Sequence, residues 1–523
     1  MSAAVVLISM LILRVPAVLN ILPLALTTTL QHVNPYFATI AFILFKHRKR
    51  AFGVRSISSL PGPKEYPLLG SALTFKQYTN RILDLFLQWR AQYGKWHTAT
   101  LPFAPRIIFT HDPASIEYIQ RTHFDNFYKG PHTQNIAREV LGDGIFNTNG
   151  EKWRLQRKTA SNIFNVKRFR ELIEGVFREE AIRVASIIER AADSGEDVDL
   201  QNLFFRFTLD TFGRISFGKH FNCLEDASAP VPFAAAFDYV QTVIDKRFRN
   251  PFFWVTEFLT GEGHKFRSAI KILDEYAYNA LEKRRQERAE GFDSNQKDLM
   301  DFFLDYRHED GSQLTDVELR DAILNFMIAG RDTTAQQLSW QYLMLMQRSE
   351  IQARIRDELS HFGDITYENI KALHYCMAVF YETLRLYPPV PKSTKTVACD
   401  DVLPSGVIVR KGDWVHYSSY VIGRDKEVWG EDAEEFNPER WLQKDEKGEI
   451  VGFNVFNGGP RICLGQTFAT LESLTMTSVL IPRFRFELSP KFIEQEKLAT
   501  EPLYATSVTL PMRRPLWVRV HRI

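Results

Sequence analysis

The sequence predicts a mainly α fold with a small β region, built as one large domain behind an N-terminal apolar segment. Three observations lead there. From about residue 80 onward, apolar residues recur at helical spacing over long stretches, and β-like runs are confined to Trp96–Phe109 and Val402–Val415. The 523 residues are 45% hydrophobic and 24% charged, which excludes a disordered, collagenous or polytopic membrane chain. No repeat, low-complexity tract or second linker divides the sequence beyond residue 70, so length does not translate into several domains.

Residues 2–30 are almost wholly apolar, interrupted by Arg14, Pro16 and Pro23, and a second apolar run from Tyr36 to Phe45 ends against Lys46-His47-Arg48-Lys49-Arg50. The first run is long enough to span a bilayer and the second is short for it, leaving one span or a re-entrant pair. A secretory leader would have a shorter apolar core, so residues 1–50 are read as a membrane anchor. The basic cluster places the rest of the chain in the cytosol. Residues 51–70 carry Leu60-Pro61-Gly62-Pro63, Pro67 and Gly70, a stiff connector that cannot extend a helix. The folded domain is expected over residues 71–523.

Charge and cysteine usage narrow the function. The net charge is +2, yet the first 64 residues hold seven Lys or Arg and no acid, so the remainder carries −5. A nucleic-acid binder would keep its positive charge on the folded domain. Four cysteines, Cys223, Cys376, Cys399 and Cys463, are too few for a disulfide scaffold and leave room for one with a special task.

That cysteine is Cys463. The run Phe456-Asn457-Gly458-Gly459-Pro460-Arg461-Ile462-Cys463-Leu464-Gly465 imposes a tight turn, and Gln466 onward has a helical pattern. A thiol at a helix N-terminus meets unpaired N–H groups and the positive dipole end, both of which favour thiolate. Cys223, Cys376 and Cys399 lack this setting and are read as structural.

Three further segments stand out. Thr315-x-x-Glu318 is a capping box opening one helix to about Arg348. At its centre Ala329-Gly330-Arg331-Asp332-Thr333-Thr334 joins a weak helix former to β-branched residues, predicting a local distortion that opens room for a ligand. Glu382-Thr383-Leu384-Arg385 places an acid and a base on one helix face. Trp153 and Arg157, at i and i+4, point an indole N–H and a guanidinium the same way, a pairing suited to a carboxylate. Beside them Lys152, Arg154 and Lys158 form either a basic docking face or a solvated charged one.

The ordered spelling Phe456-x-x-Gly459-x-Arg461-x-Cys463-x-Gly465 resembles the heme-ligand loop of the cytochrome P450 family, and all four segments stand in that family's order over about residues 60–520. The resemblance implies a cytochrome P450 fold holding heme b, with Cys463 as axial thiolate and Phe456 in the ligand loop. It implies Asp332 and Thr333 as the acid–alcohol pair that delivers protons to dioxygen, with Ala329 and Gly330 on the oxygen side. Trp153, Arg157, Arg461 and Lys392 would bind the heme propionates, and Glu382, Arg385 and Arg440 would form a buried network positioning the cysteine loop. Ala329 occupies the site where some animal members carry a heme-esterifying glutamate, so the heme is expected to be noncovalent. With no Walker loop and no G-x-G-x-x-G between strand and helix, the chain encodes no flavin or nicotinamide domain. Electrons are expected from an NADPH–cytochrome P450 reductase, with cytochrome b5 as a second candidate donor, at the endoplasmic reticulum membrane.

Leu141–Phe146, Gln156–Ser161, Asn250–Trp254, Ala329–Thr334 and Asp400–Pro404 look like the long-chain fatty-acid and alkane hydroxylase branch. The expected activity is therefore hydroxylation of a lipophilic substrate at or near the methyl end of a fatty chain. Arg247 and Lys246 are read either as meeting the carboxylate at the mouth of the channel or as surface charges. A secondary-metabolite or xenobiotic hydroxylase, a heme-thiolate isomerase or dehydratase, and a heme sensor remain as alternatives.

Overall fold

The computed structural model describes residues 60–523, apart from 67–68, 103, 163–170, 172, 219–220, 251, 292–296, 309, 364 and 443–451. The expected anchor over residues 1–50 lies outside the described residues, as does most of the connector. The described part of the connector is tied down: Thr98 N donates to the Pro61 carbonyl at 2.9 Å, and Tyr66 and Gly70 exchange backbone hydrogen bonds at 2.8 Å. Among the described residues, no helix is long and apolar enough to cross a membrane.

The main helices are α1 (Ile82–Tyr93), α2 (Pro131–Leu141), α3 (Gly150–Ser161), α4 (Leu200–Phe217), α5 (Pro232–Arg249), α6 (Phe253–Thr260), α7 (Glu262–Ala289), α8 (Asp316–Met346), α9 (His374–Leu386) and α10 (Gln466–Leu480). The β region comprises β1 (Trp96–Ala99), β2 (Ile107–Thr110), β3 (Phe127–Tyr128), β4 (Val198–Asp199), β5 (Ser393–Val397), β6 (Asp401–Val402), β7 (Ile408–Val409), β8 (Trp414–Tyr417), β9 (Phe484–Leu488) and β10 (Trp517–Arg522). A five-stranded sheet runs β1-β2-β8-β5-β3, all antiparallel except β2 with β8; β4-β10-β9 and β6-β7 form two smaller sheets.

Helix α8 is the axis of the molecule. It opens on the expected capping box: Glu318 N donates to Thr315 Oγ1 at 3.3 Å and Thr315 N to Glu318 Oε2 at 3.0 Å. From Leu319 to Leu345 its side chains are buried on every face, except Ala329 and Thr333, as befits a helix enclosed by others.

The distortion expected at Gly330 is absent: α8 runs unbroken from Asp316 to Met346. Gly330 serves packing instead. A Cβ there would overlap the Phe212 ring of α4, so the glycine lets α4 lie against α8, and Thr208 Oγ1 donates to the Arg331 carbonyl at 2.8 Å across the same contact.

Candidate active site

The cysteine loop is shaped by its own backbone and by a close neighbour. Asn457 and Gly459 adopt left-handed φ values of 63° and 58°, and Cys463 N donates to the Phe456 carbonyl at 2.8 Å. A side chain at Gly459 would collide with the backbone of Gln120 and Arg121, so glycine is required for the conformation and for the approach. Gly465 then caps α10.

Cys463 and Ile462 are exposed although the loop lies within the fold, so they border interior space. Burial pushes the thiol above its ordinary value, while the Gly465 N–H and Arg157 pull it down by less. The helix-terminal N–H group acts in the expected direction, and burial outweighs it. A bound metal cation would complete the deprotonation.

On α8, Ala329 and Thr333 are the two accessible positions between Leu319 and Leu345, four residues apart and hence on one face. Thr333 Oγ1 donates to the Ala329 carbonyl at 2.8 Å, leaving its lone pairs free. Asp332 points elsewhere: it is 1% exposed and accepts from Gln241 Nε2 at 2.5 Å and from Arg331 Nη1 at 2.8 Å. Burial, partly offset by Arg331, raises its carboxyl to about 6.

Cations gather beside the cysteine loop without anions. The Arg461 guanidinium lies 4.4 Å from the Trp153 ring centre and that of Arg157 5.8 Å from it. Arg461 donates to the Thr148 carbonyl at 2.8 Å and to Asn149 Oδ1 at 3.2 Å, while Asn149 Nδ2 donates to the Lys129 carbonyl at 2.8 Å. Burial and the nearby Arg157 push Arg461 down to about 10; burial and Arg461 push Lys395 down to about 7; Lys129 is driven well down by burial and by Lys395 and Arg461. Among the described residues none of the four forms an ion pair with a carboxylate. Four basic groups, two of them lysines held toward their neutral form by burial and by one another, fit a ligand that brings its own carboxylates, as a heme does.

Lys392 stands apart from this group. Its ammonium pairs with Asp245 Oδ1 at 2.7 Å and donates to the Ser507 carbonyl at 3.1 Å. Lys395, three residues later on β5, is the lysine that feels Arg461, and Lys129 and Asn149 were not anticipated. The readable signal for Lys395 was a lysine inside the β-branched run Thr394–Val397; Lys129 has none, because distant packing places it.

Glu382, Arg385 and Arg440 do come together. Arg385 and Glu382 are fully buried and joined by two bonds of 2.8 and 2.7 Å. Glu382 also accepts from Arg440 Nε at 3.1 Å, Trp441 Nε1 at 2.8 Å and Asn437 N at 2.7 Å, and Arg385 caps the carbonyls of Gly423, Ala433 and Glu435. Trp441 is a member the sequence did not mark.

The anticipated carboxylate contacts are absent. Arg247 is buried and held by Glu257 at 2.7 and 2.8 Å and by Glu139 at 2.8 Å; Lys246 pairs with Glu262 at 2.5 Å. Phe233 and Phe237 stack at 5.4 Å, and Phe233 meets Tyr276 of α7 at 4.4 Å, so they fill core between α5 and α7. Outside, a groove of about 450 Å³ beside Pro460 is lined by Arg121, His123, Phe124 and Arg154, close to the basic face expected on α3. Within that face Lys152 pairs with Asp143 at 2.9 Å.

The family model for cytochrome P450 matches residues 60–511. The cytochrome P450 monooxygenase cyp1 of Mycosarcoma maydis is 38% identical over 509 residues, covering 93% of this chain and 79% of that protein. Cytochrome P450 704B1 of Arabidopsis thaliana is 33% identical, covering 87% and 94%, and cytochrome P450 94A1 of Vicia sativa 32%, covering 86% and 88%. With the cysteine loop, the central helix and the buried Glu382–Arg385 pair in one framework, the chain belongs to the cytochrome P450 family of heme monooxygenases.

Proposed function

We propose that this enzyme is a membrane-anchored hydroxylase of long-chain fatty acids, acting at or near the methyl end, with Cys463 as the axial ligand of heme b. The observation that carries the heme site is the pairing of an accessible interior cysteine with four cations that lack anions. Arg157, Arg461, Lys395 and Lys129 would hold the propionates, and Trp153 would pack beside them. When bound, the heme supplies activation of dioxygen and insertion of one oxygen atom into a C–H bond.

The protein's part is positioning and proton supply. Thr333 presents its hydroxyl to the interior, bonded back to Ala329, and would hold a proton donor there. Asp332 lies one residue away, its carboxyl raised by burial to about 6 and held by Gln241 and Arg331, and would be the acid behind Thr333. The Glu382 network would fix the segment leading to the cysteine loop. Terminal attack requires the chain to enter methyl-first, since terminal C–H bonds are stronger than internal ones and only positioning can select them.

The sequence resemblance to the fatty-acid and alkane branch supports the substrate class. Exposed Trp254, Phe258 and Leu259 on α6, at 67%, 85% and 75%, together with the apolar N-terminus, support an endoplasmic reticulum membrane setting with the domain facing the cytosol. The basic surface near Arg121 and Arg154 would receive an NADPH–cytochrome P450 reductase.

The test is incubation of microsomes containing the enzyme and its reductase with NADPH and fatty acids and alkanes of graded length, with products identified by mass spectrometry. Terminal or near-terminal alcohols are expected, with short chains turned over poorly because each buried CH₂ contributes about 0.8 kcal/mol. Midchain products, or turnover of polycyclic compounds alone, would favour a secondary-metabolite or xenobiotic hydroxylase.

A further inference from the structure

A polar seam, to which none of the roles above is assigned, joins α8 to α10. Thr334, Gln337 and Gln341 lie at helical spacing on one face of α8, opposite Glu472, Ser473 and Thr477 of α10. Ser473 Oγ donates to Gln337 Oε1 at 2.7 Å, Gln337 Nε2 to Gln341 Oε1 at 2.7 Å, and Gln341 Nε2 to Thr477 Oγ1 at 2.9 Å. All six side chains are at most 2% exposed.

Glu472 stands at the end of the seam nearest the site. Neither of its oxygens makes a well-directed hydrogen bond, nor does the Thr334 hydroxyl; Thr334 is the neighbouring side chain that acts on Glu472, and its hydroxyl favours the ionised form by less than burial opposes it. Among the described residues no cation pairs with it. An ionised carboxylate stranded there would be destabilising by several kcal/mol, so burial holds Glu472 as the neutral acid, well above the usual carboxylate range. A neutral acid has a proton to donate, and the Thr334 oxygen has lone pairs to accept it.

The seam lies where register matters most. Helix α10 begins at Gln466, three residues after Cys463, and Thr334 directly follows Thr333. A purely apolar contact would tolerate sliding of one helix on the other. Here a slide would unpair Gln337, Gln341, Ser473 and Thr477, each lost partner costing about 1–3 kcal/mol, and would part Glu472 from Thr334, its one polar neighbour in the seam.

Resting on the heme-thiolate reading, we propose that Glu472 is a positioning residue for Thr333: through Thr334 it fixes the register of α8 on α10, and so the span between the Cys463 sulfur and the Thr333 hydroxyl.

The test compares Glu472→Leu, Glu472→Gln and Thr333→Ala as holoenzymes with reductase and NADPH. Glu472→Leu is expected to keep the ferrous–carbon monoxide Soret band and the substrate KM. Its peroxide formed per NADPH should rise severalfold toward the Thr333→Ala value, with faster amide hydrogen exchange over Ile328–Thr334. Glu472→Gln, which restores a donor, should return both toward wild type. A Leu variant with the wild-type peroxide ratio, while Thr333→Ala uncouples, overturns the inference and leaves the heme-thiolate reading intact. Failure of Gln to rescue also overturns it, since packing alone would then explain the loss. Unchanged coupling in Thr333→Ala overturns the role of Thr333 and with it the inference. Should Glu472→Leu not fold, Thr334→Val carries the same expectation, and wild-type coupling in it overturns the inference.

Discussion

The guanidinium of Arg461 lies 4.4 Å from the centre of the Trp153 ring, a stack that ties the cysteine loop to α3 along one edge of the interior space. Because Arg157, Lys395 and Lys129 converge on the same edge without carboxylate partners, the arrangement is electrostatically incomplete until an anionic ligand arrives.

Heme retention should therefore depend on Lys395 and not on Lys392. Lys395→Met and Arg157→Leu each remove a charge-assisted bond and should weaken heme binding by about tenfold or more. Lys392→Met, which disturbs only the Asp245 pair, should leave it unchanged. The rate of heme transfer to apomyoglobin measures this, and equal rates for the two lysine variants would return the propionate role to Lys392.

Thr333→Ala should bind heme normally and divert electrons to peroxide, because the hydroxyl that faces the interior is lost. Peroxide formed per NADPH consumed is the readout. A full product yield at an unchanged ratio would remove Thr333 from proton delivery.

Three histidines make the β region acid-labile. His97, His111 and His416 are buried around Phe109, with His97 and His416 each 4.9 Å from its ring. Burial pushes His97 down to about 4, His416 to about 3 and His111 well down. Unfolded histidines take up protons near pH 6.5 and these do not, so stability is lost as pH falls from there toward 4. Each histidine contributes about 1.4 kcal/mol per pH unit across its window. His97→Phe should move the acid-unfolding midpoint, followed by circular dichroism, to lower pH. An unmoved midpoint would assign acid lability elsewhere.

Arg385→Leu removes the two-bonded partner of a fully buried Glu382, leaving it Arg440, Trp441 and Asn437, and uncaps three carbonyls, so it should cost about 3–5 kcal/mol and yield little folded holoprotein. Arg440→Leu, at a less enclosed partner, should lower the thermal midpoint by less. Equal losses in thermal melts would show that the pair does not rank above its neighbour.

The features readable in the sequence were those that local chemistry determines. The Thr315–Glu318 box and the turn before Cys463 are each set by residues within ten positions of one another, and both take the expected form. The role of Gly330 was misjudged because its partner, Phe212, lies more than a hundred residues away; helix propensity gave weakness where the fold needed space. Lys392 was singled out, and Lys395 passed over unremarked, for a similar reason. Strand pairing decides which lysine meets Arg461, and that pairing joins β5 to a segment far along the chain. The helix terminus does favour the Cys463 thiolate as the turn implied, but desolvation by the assembled core outweighs it, a balance visible only once the core is in place. Arg247 looked available and is consumed by Glu139 and Glu257.

The most direct test is the reduced carbon monoxide spectrum of Cys463→Ala, prepared beside the wild type at matched heme content. Thiolate ligation gives the ~450 nm Soret band, so the wild type should show it and the variant should lack it entirely. Retention of that band by Cys463→Ala would contradict the assignment of Cys463 as the axial ligand and the site built around it.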